Sequence, residues 1–277
     1  KTVDLSTYYI IRWTNGNSFT QDNDDKISLN SKCGSTLAPN TFCIISNDTN
    51  STSKFITTYG FIQDGKAGTG TGVDSNGDDN IALVIIPSGT LGDASTYTVV
   101  DMFGVPGEDG SGTGHEFEDG RAERLSTSTI PKSTWDVDDW DIDNDSGGGS
   151  GNQYAPAGFD PGYWIGAQAV DTWTGRTNTS WTIDGNWASG TAPVAGDKVF
   201  IHDATNDPDI SSADIDLTDL TMKTGGVLDV ESSGSLNLSG NFSNSGTVTL
   251  NSASDAFSSL IVQGSSTGNI IYNRWIN

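Results

Sequence analysis

Basic residues, histidine, methionine and cysteine are all scarce in this 277-residue chain: 13 Lys plus Arg stand against 36 Asp plus Glu, with two His, two Met and two Cys. The formal charge of -23 argues against nucleic acid as a partner, because phosphate backbones are held by Lys and Arg that displace counterions. Anionic membrane surfaces are disfavoured for the same reason. Apolar residues make up only 34% of the chain while glycines number 34, too little hydrocarbon for one thick core at this length. Thin layers or stacked coils suit that composition, since each strand then supplies one or two inward side chains. No apolar run approaches the roughly 18 residues of a membrane helix. The opening KTVDLSTYYI lacks the apolar centre of a signal peptide, so a secreted protein would require a leader already removed.

Helical periodicity is also missing, and short β runs take its place. Tyr8 to Trp13, Phe42 to Ile45, Ile81 to Ile86 and Tyr97 to Phe103 are each bounded by Gly, Asn, Asp or Pro, the punctuation of strands joined by surface loops. The most apolar run, IALVII, reads as a central core strand, and a sandwich over about residues 1–145 accommodates the set. Glycines then crowd residues 146–162, which carry Tyr154 and Phe159 as well; such aromatic surface predicts that the second half of this stretch is ordered. We place the domain division at 1–165 and 166–277.

After Asp171 the tryptophans Trp173, Trp181 and Trp187 come close together, then eight short pulses follow: IDL, LTM, VLDV, SLNL, GNF, TVTL, SLIV and NIIY. Gly226, Gly234, Gly240 and Gly246 fall between pulses. One pulse cannot bury its own face, whereas stacked coils bury a narrow continuous column. This predicts a β-helix or β-solenoid with the tryptophans plugging one end; a second sandwich is the alternative. An open stack also needs a cap or a neighbour, so the ending NIIYNRWIN predicts that further protein follows.

Cys33 and Cys43 bracket a turn-like GSTLAPNT. A disulfide closing that loop is worth roughly 2–3 kcal/mol, and two buried thiols are the alternative. Acceptor-like triplets stand at Asn47, Asn50, Asn178 and Asn241.

Three aspartate clusters are candidate cation sites: Asp22, Asn23, Asp24 and Asp25; then Asp74, Asn76, Asp78 and Asp79; then Asp136 and Asp138 with Asp139, Asp141, Asp143 and Asp145. Short carboxylates at alternate positions suit calcium, which takes hard oxygen ligands. None completes the helix-loop-helix calcium signature; Gly77 stands at the wrong offset from Asp74. In an extended strand Asp139, Asp141, Asp143 and Asp145 would share one face, where like charges need water or a cation. The alternative for all three is a hydrated loop.

The stretch HEFEDGRAERL, with His115, Glu116, Glu118, Asp119, Arg121, Glu123 and Arg124, reads as an ion-pair lattice. A catalytic pair at Glu118 and Asp119 would need a burial that nothing in the sequence indicates. The two histidines, His115 and His202, are far apart, and zinc sites recruit several His or Cys. His202 with Asp203, Asp207 and Asp209 is thus more plainly a loop after a strand than a metal site. No nucleophile elbow is present, and the Gly-rich GTGTGVD and SGGGSG lack the rest of a phosphate-binding motif.

The segments VDLSTYYIIRWTNG, LAPNTFCIISN, NGDDNIALVII and VVDMFGVPGEDGSG resemble the lamin-tail family, an immunoglobulin-like β-sandwich also found in bacterial secreted proteins. HEFEDGRAERL, TWDVDDWDIDNDSGGG and FDPGYWIG look like the variant seen in Bacteroidetes surface proteins. By that likeness Gly77, Asp78 and Asp79 turn the chain into a core strand, and Asp101 to Gly107 form the next strand and loop. The strand with which the family usually begins is not in this sequence, so the first sheet would lack it or be completed from elsewhere. The part from TWTGRTNTSWTIDGNW onward resembles a repeat-rich module of secreted Bacteroidetes proteins, many exported by the type IX route. That route's sorting signal lies at a C-terminus not present here. The two resemblances span nearly all of the chain and carry over no catalytic motif.

The resemblance therefore implies a non-catalytic structural or adhesive region of a large secreted protein, exported through periplasm and outer membrane to the cell surface. Its partners would be other domains of the same polypeptide and surface proteins or glycans, with calcium as the one expected ion. A carbohydrate- or protein-binding accessory module of an extracellular enzyme is the alternative.

Overall fold

The computed structural model describes residues 1–17, 25–39, 41–47, 54–87, 96–144, 161–165 and 169–276. The chain is nearly all β, as expected, and forms two compact units. One comprises Lys1–Ser51 and Asp64–Phe159, the other Thr52–Gln63 and Asp160–Asn277. Two short α-helices, Leu29–Cys33 and Lys54–Tyr59, break the β pattern.

In the first unit, strands Lys26–Ser28, Tyr8–Trp13, Asn80–Ile85 and Thr98–Phe103 form an antiparallel sheet in that order. Asn80–Ile85 is central, and its residues alternate between buried and half-buried, the period-2 pattern of a strand with one face on a core. That core joins Ile11, Trp13, Ala82, Val84, Ile86 and Met102, with Trp135 and Tyr97 packed at its margin. A separate antiparallel pair, Arg121–Arg124 with Trp140–Asp143, carries the late acidic stretch.

The Cys33–Cys43 disulfide is present, with Cα atoms 5.7 Å apart. The strand expected over Phe42 to Ile45 is reduced to Ile45–Ser46, paired in parallel with Gly65–Lys66. Its approach is held by other means: Cys43 is tied to Cys33, and the Ile44 N–H donates to the Asp64 carboxylate at 3.0 Å.

The second unit is a three-sided β-solenoid. Its first face stacks Lys198–Ile201, Asp219–Met222, Phe242–Asn244 and Ser266–Thr267; its second Asp209–Ile210, Val227–Val230, Thr247–Asn251 and Ile271–Asn273; its third Asp214–Leu217, Ser235–Leu238 and Ser259–Val262. All of these ladders are parallel and in register, so like positions sit above one another. Inward columns result: Ile215, Leu236 and Leu260; Leu217, Leu238 and Val262; Ile210, Val230 and Leu250. Burying each such side chain contributes roughly 1.5–3 kcal/mol.

Two of the glycines between pulses are required by the closeness of the coil below. A Cβ on Gly234 would stand 2.3 Å from the Ile210 carbonyl oxygen, and one on Gly246 only 2.2 Å from that of Gly226. At the start of the column Trp173, Trp181 and Trp187 are fully buried. Trp187 meets its two partners edge-on at 5.1 and 4.7 Å and donates its indole N–H to the Trp181 carbonyl at 2.8 Å.

The segment 54–63 packs within this second unit, a placement that the sequence pattern does not signal. Phe61 is completely buried and forms a bridge with Ala204. Gly60, at φ +88°, lies so close to the Thr174 carbonyl that a Cβ would stand 2.1 Å from its oxygen. The Arg176 guanidinium donates to the Tyr59 carbonyl at 3.2 Å and lies over the Tyr59 ring.

Candidate functional site

Polar side chains concentrate where loops 14–17, 74–79 and 104–116 meet beside the central strand of the first unit. Gly77 opens this arrangement: at φ +105° it lies against Glu118, where a Cβ would stand 2.5 Å from the Glu118 backbone. Only glycine fits that combination of left-handed backbone and close approach. The chain then enters the strand through Asp78, Asp79 and Asn80.

These three residues diverge. Asp79 is completely buried and accepts from the Arg12 guanidinium at 2.7 Å and from the Asn15 backbone N–H at 3.2 Å. Arg12, itself buried, also reaches Asp25 at 3.3 Å. A buried charge pair of this kind tolerates loss of both partners far better than loss of one. Asp78 turns the other way, accepting from the Asn15 amide at 3.2 Å and the Ser111 hydroxyl at 3.4 Å, with the Asn76 side chain also bonded to its carboxylate. Burial, with Asp79 and Asp109 beside it, pushes its carboxyl above the usual range. Asn80, completely buried, donates to the carbonyls of Asn15 and Glu108 at 3.2 and 3.0 Å.

Of the remaining members of the Asp74–Asp79 set, Asn76 stays with Asp78 while Asp74 bonds to other segments. Asp74 accepts from the Gly70 N–H at 2.7 Å and the Asn47 amide at 2.9 Å. Burial alone would raise its carboxyl, but these bonds and the Arg12 charge hold it below the ordinary value. Asn76 is exposed. Of the first acidic cluster, Asp22, Asn23 and Asp24 lie outside the described residues.

The third cluster differs from the single extended row expected for it. The strand begins only at Trp140, because Asp136 caps a one-turn 3-10 helix over Val137–Asp139 by accepting from the Asp138 N–H. Asp139 is therefore not in the strand; it meets the Lys132 ammonium at 2.9 Å and Arg124 at 3.8 Å. The Lys132 bond, with one from Ser128, keeps its carboxyl below the ordinary range. Asp141 and Asp143 do share a strand face, with Arg121 3.6 Å from Asp141. Asp145 lies outside the described residues, as do Tyr154 and Phe159.

Arg124 pairs with Asp101 and lies 4.8 Å over the Trp140 ring. The arginines of HEFEDGRAERL thus reach acids on other segments, Asp101, Asp139 and Asp141, as well as Glu123. Among the described residues, no three His, Cys, Asp or Glu side chains gather around a point that would hold an ion.

His115 is buried among Phe103 and Trp135, at ring distances of 6.2 and 5.8 Å. Burial pulls its imidazole below the ordinary value against the opposing pull of Glu108 and Asp109. His202, also buried, lies 5.2 Å from the Phe61 ring.

The second unit holds two buried polar centres that the spacing of residues gave no reason to select. Asn186 accepts from the N–H groups of Thr177 and Asn178 and donates to Asn178 and to the Ser180 carbonyl, so its amide is fully used. Asp171 accepts from the backbone N–H groups of Thr172 and Ser189 and from the Ser189 hydroxyl. Burial dominates these bonds and pushes its carboxyl up to about 6. The only advance signal for either was a polar residue beside tryptophans.

No helix among the described residues is long and apolar enough to cross a membrane. No curated protein and no solved structure matches the chain. Residues 172–277, which include the coils from Lys198 onward, match the model of a domain family of unknown function, DUF8693.

Proposed function

We propose that the chain is a non-catalytic structural or adhesive region of a large protein exported to the cell surface. The observation that supports it most is the in-register solenoid: its coils bury a continuous apolar column and direct Asp214, Asp216, Ser235 and Asn237 outward. Such a stack gives a rigid spacer with a long polar exterior. The disulfide suits an oxidising compartment, and the antiparallel sheet of the first unit suits the lamin-tail, immunoglobulin-like reading made from its motifs.

Antibodies to the purified chain test this on the cells that produce it. Labelling of intact cells, with loss of attachment when the region is deleted in frame, is the expected result. Turnover of an ester, glycoside or phosphodiester by the purified chain, abolished by one carboxylate substitution, would sink the reading.

One feature favours an accessory glycan-binding module as a second reading. Phe257, just before the strand Ser259–Val262, and Tyr272 and Trp275, one coil further on, are all about half exposed or more. Phe257 bridges Ser252, whose hydroxyl also accepts from the Trp275 N–H at 2.6 Å. Aromatic faces beside hydroxyl and amide groups are suited to sugar rings, and retention on immobilised neutral polysaccharide, lost in Trp275→Ala, tests this.

A further inference from the structure

We propose that the outer face of the coil beginning at Lys198–Ile201 is a peptide-docking site for an extended Tyr-Gly-Phe-Ile element. Residues 59–62 are its ligand, supplied by the chain itself. This goes beyond the adhesive reading and does not depend on it.

The receiving surface is particular to that coil. Along Lys198–Ile201, Val199 and Ile201 belong to the apolar column, so the period of a strand turns Phe200 outward. The parallel ladder places Thr221, Ser243 and Thr267 at the matching outward position of the following coils. One coil thus carries an aromatic ring where those carry a hydroxyl, yet Phe200 is only 3% exposed. The Lys223 ammonium lies 5.2 Å over its ring, and His202, 6.5 Å away, links it to the Phe61 ring at 5.2 Å.

Residues 59–62 are held there as an added strand is held. Phe61 forms its bridge with Ala204 in the antiparallel sense. The Ile62 N–H donates to the Asp203 carbonyl at 2.8 Å, and the Thr205 N–H donates to the Gly60 carbonyl at 3.1 Å. In such docking the backbone bonds give affinity and the side chains give selectivity. Arg176 reads position 59 through its carbonyl and its ring. The Thr174 carbonyl admits only glycine at 60. Position 61 takes a fully buried ring, with Phe55 edge-on to it at 5.4 Å.

The solenoid core closes without this segment. The continuous apolar cluster, from Trp173 to Leu250, includes neither Tyr59 nor Phe61. Arg176 and Tyr59 are 117 positions apart in sequence, and the match to the family model begins only at residue 172. Residues 172–277 therefore carry the receiving surface but not what fills it. A ligand that sits outside a complete column is separable from it.

The test uses the whole 277-residue chain and a fluorescent peptide of residues 52–64, followed by anisotropy. In the wild-type chain the tethered segment acts at an effective concentration on the order of 1 mM, so peptide well below that should stay free. Phe61→Asp buries a carboxylate among rings, and Gly60→Val drives a side chain into Thr174; each should vacate the site. Both variants should then bind the peptide with a Kd below about 1 mM, roughly ten-fold or more tighter than the wild-type chain. Peptide carrying either substitution should not bind. Slow amide exchange in strands Val227–Val230 and Ser235–Leu238 should persist in both variants. Three results would overturn the proposal: no peptide binding by either variant, equal binding by the wild-type chain, or loss of that slow exchange in both variants, which would make the segment part of the column itself.

Discussion

The repeated coils of the second unit and the loops of the first dispose of their carboxylates in opposite ways. In the solenoid, Asp214 and Asp216 alternate with buried Ile215 and Leu217, so a period of two directs acid outward and hydrocarbon inward. In the first unit Asp79 is drawn completely inside and neutralised by Arg12, while Asp139 turns onto Lys132. A repeated coil offers every residue the same two choices, and polarity alone selects between them. An irregular loop cluster offers partners that depend on where distant segments arrive.

Substitutions separate the two modes of stabilisation. Trp187→Ala removes the ring that touches both other tryptophans and should cost about 3–5 kcal/mol. Denaturant unfolding followed by probes in each unit should show the loss in the solenoid alone. Asp79→Ala should cost the first unit about 3 kcal/mol, because it leaves the buried Arg12 with only its longer contact to Asp25. The double change Arg12→Met with Asp79→Leu should recover most of that loss; if it does not, the pair is not what holds these strands together.

Asp171 supplies a pH test confined to the second unit. Its carboxyl keeps its proton up to about 6 in the folded unit, against an ordinary value of 3.8. Between those values the folded state binds more protons than the unfolded one, so stability falls as pH rises. The contribution is fully present below about 3.8 and is lost as pH passes through 6, a change of up to about 3 kcal/mol. Asp171→Asn, which can still accept the two backbone N–H groups, should flatten the pH dependence over that window in thermal melts. Smaller still, reduction of Cys33–Cys43 should cost the first unit about 2–3 kcal/mol and leave the solenoid midpoint unchanged.

Much of the solenoid was legible before any coordinates. Pulses such as VLDV and SLNL alternate correctly, Gly234 and Gly246 mark the close approaches, and three tryptophans precede the column they begin. The Asp74–Asp79 loop was less so. Its acids were visible, but the distribution of Asp74 to Gly70 and Asn47, and of Asp79 to Arg12, followed from segments that arrive from elsewhere in the chain. His115 stands alone in the sequence, and its burial against Phe103 and Trp135 likewise follows from segments that meet only in the fold.

The amino-acid sequence alone determined the β class and favoured stacked coils over a second sandwich and a disulfide over two thiols, because alternation, glycine spacing and short loop closure act between neighbours. Tertiary structure decided which carboxylate is paired, what surrounds the buried His115, and that segment 54–63 packs with the solenoid unit. Those outcomes depend on which distant group occupies each hydrogen-bonding position, and a buried polar atom takes its state from that partner.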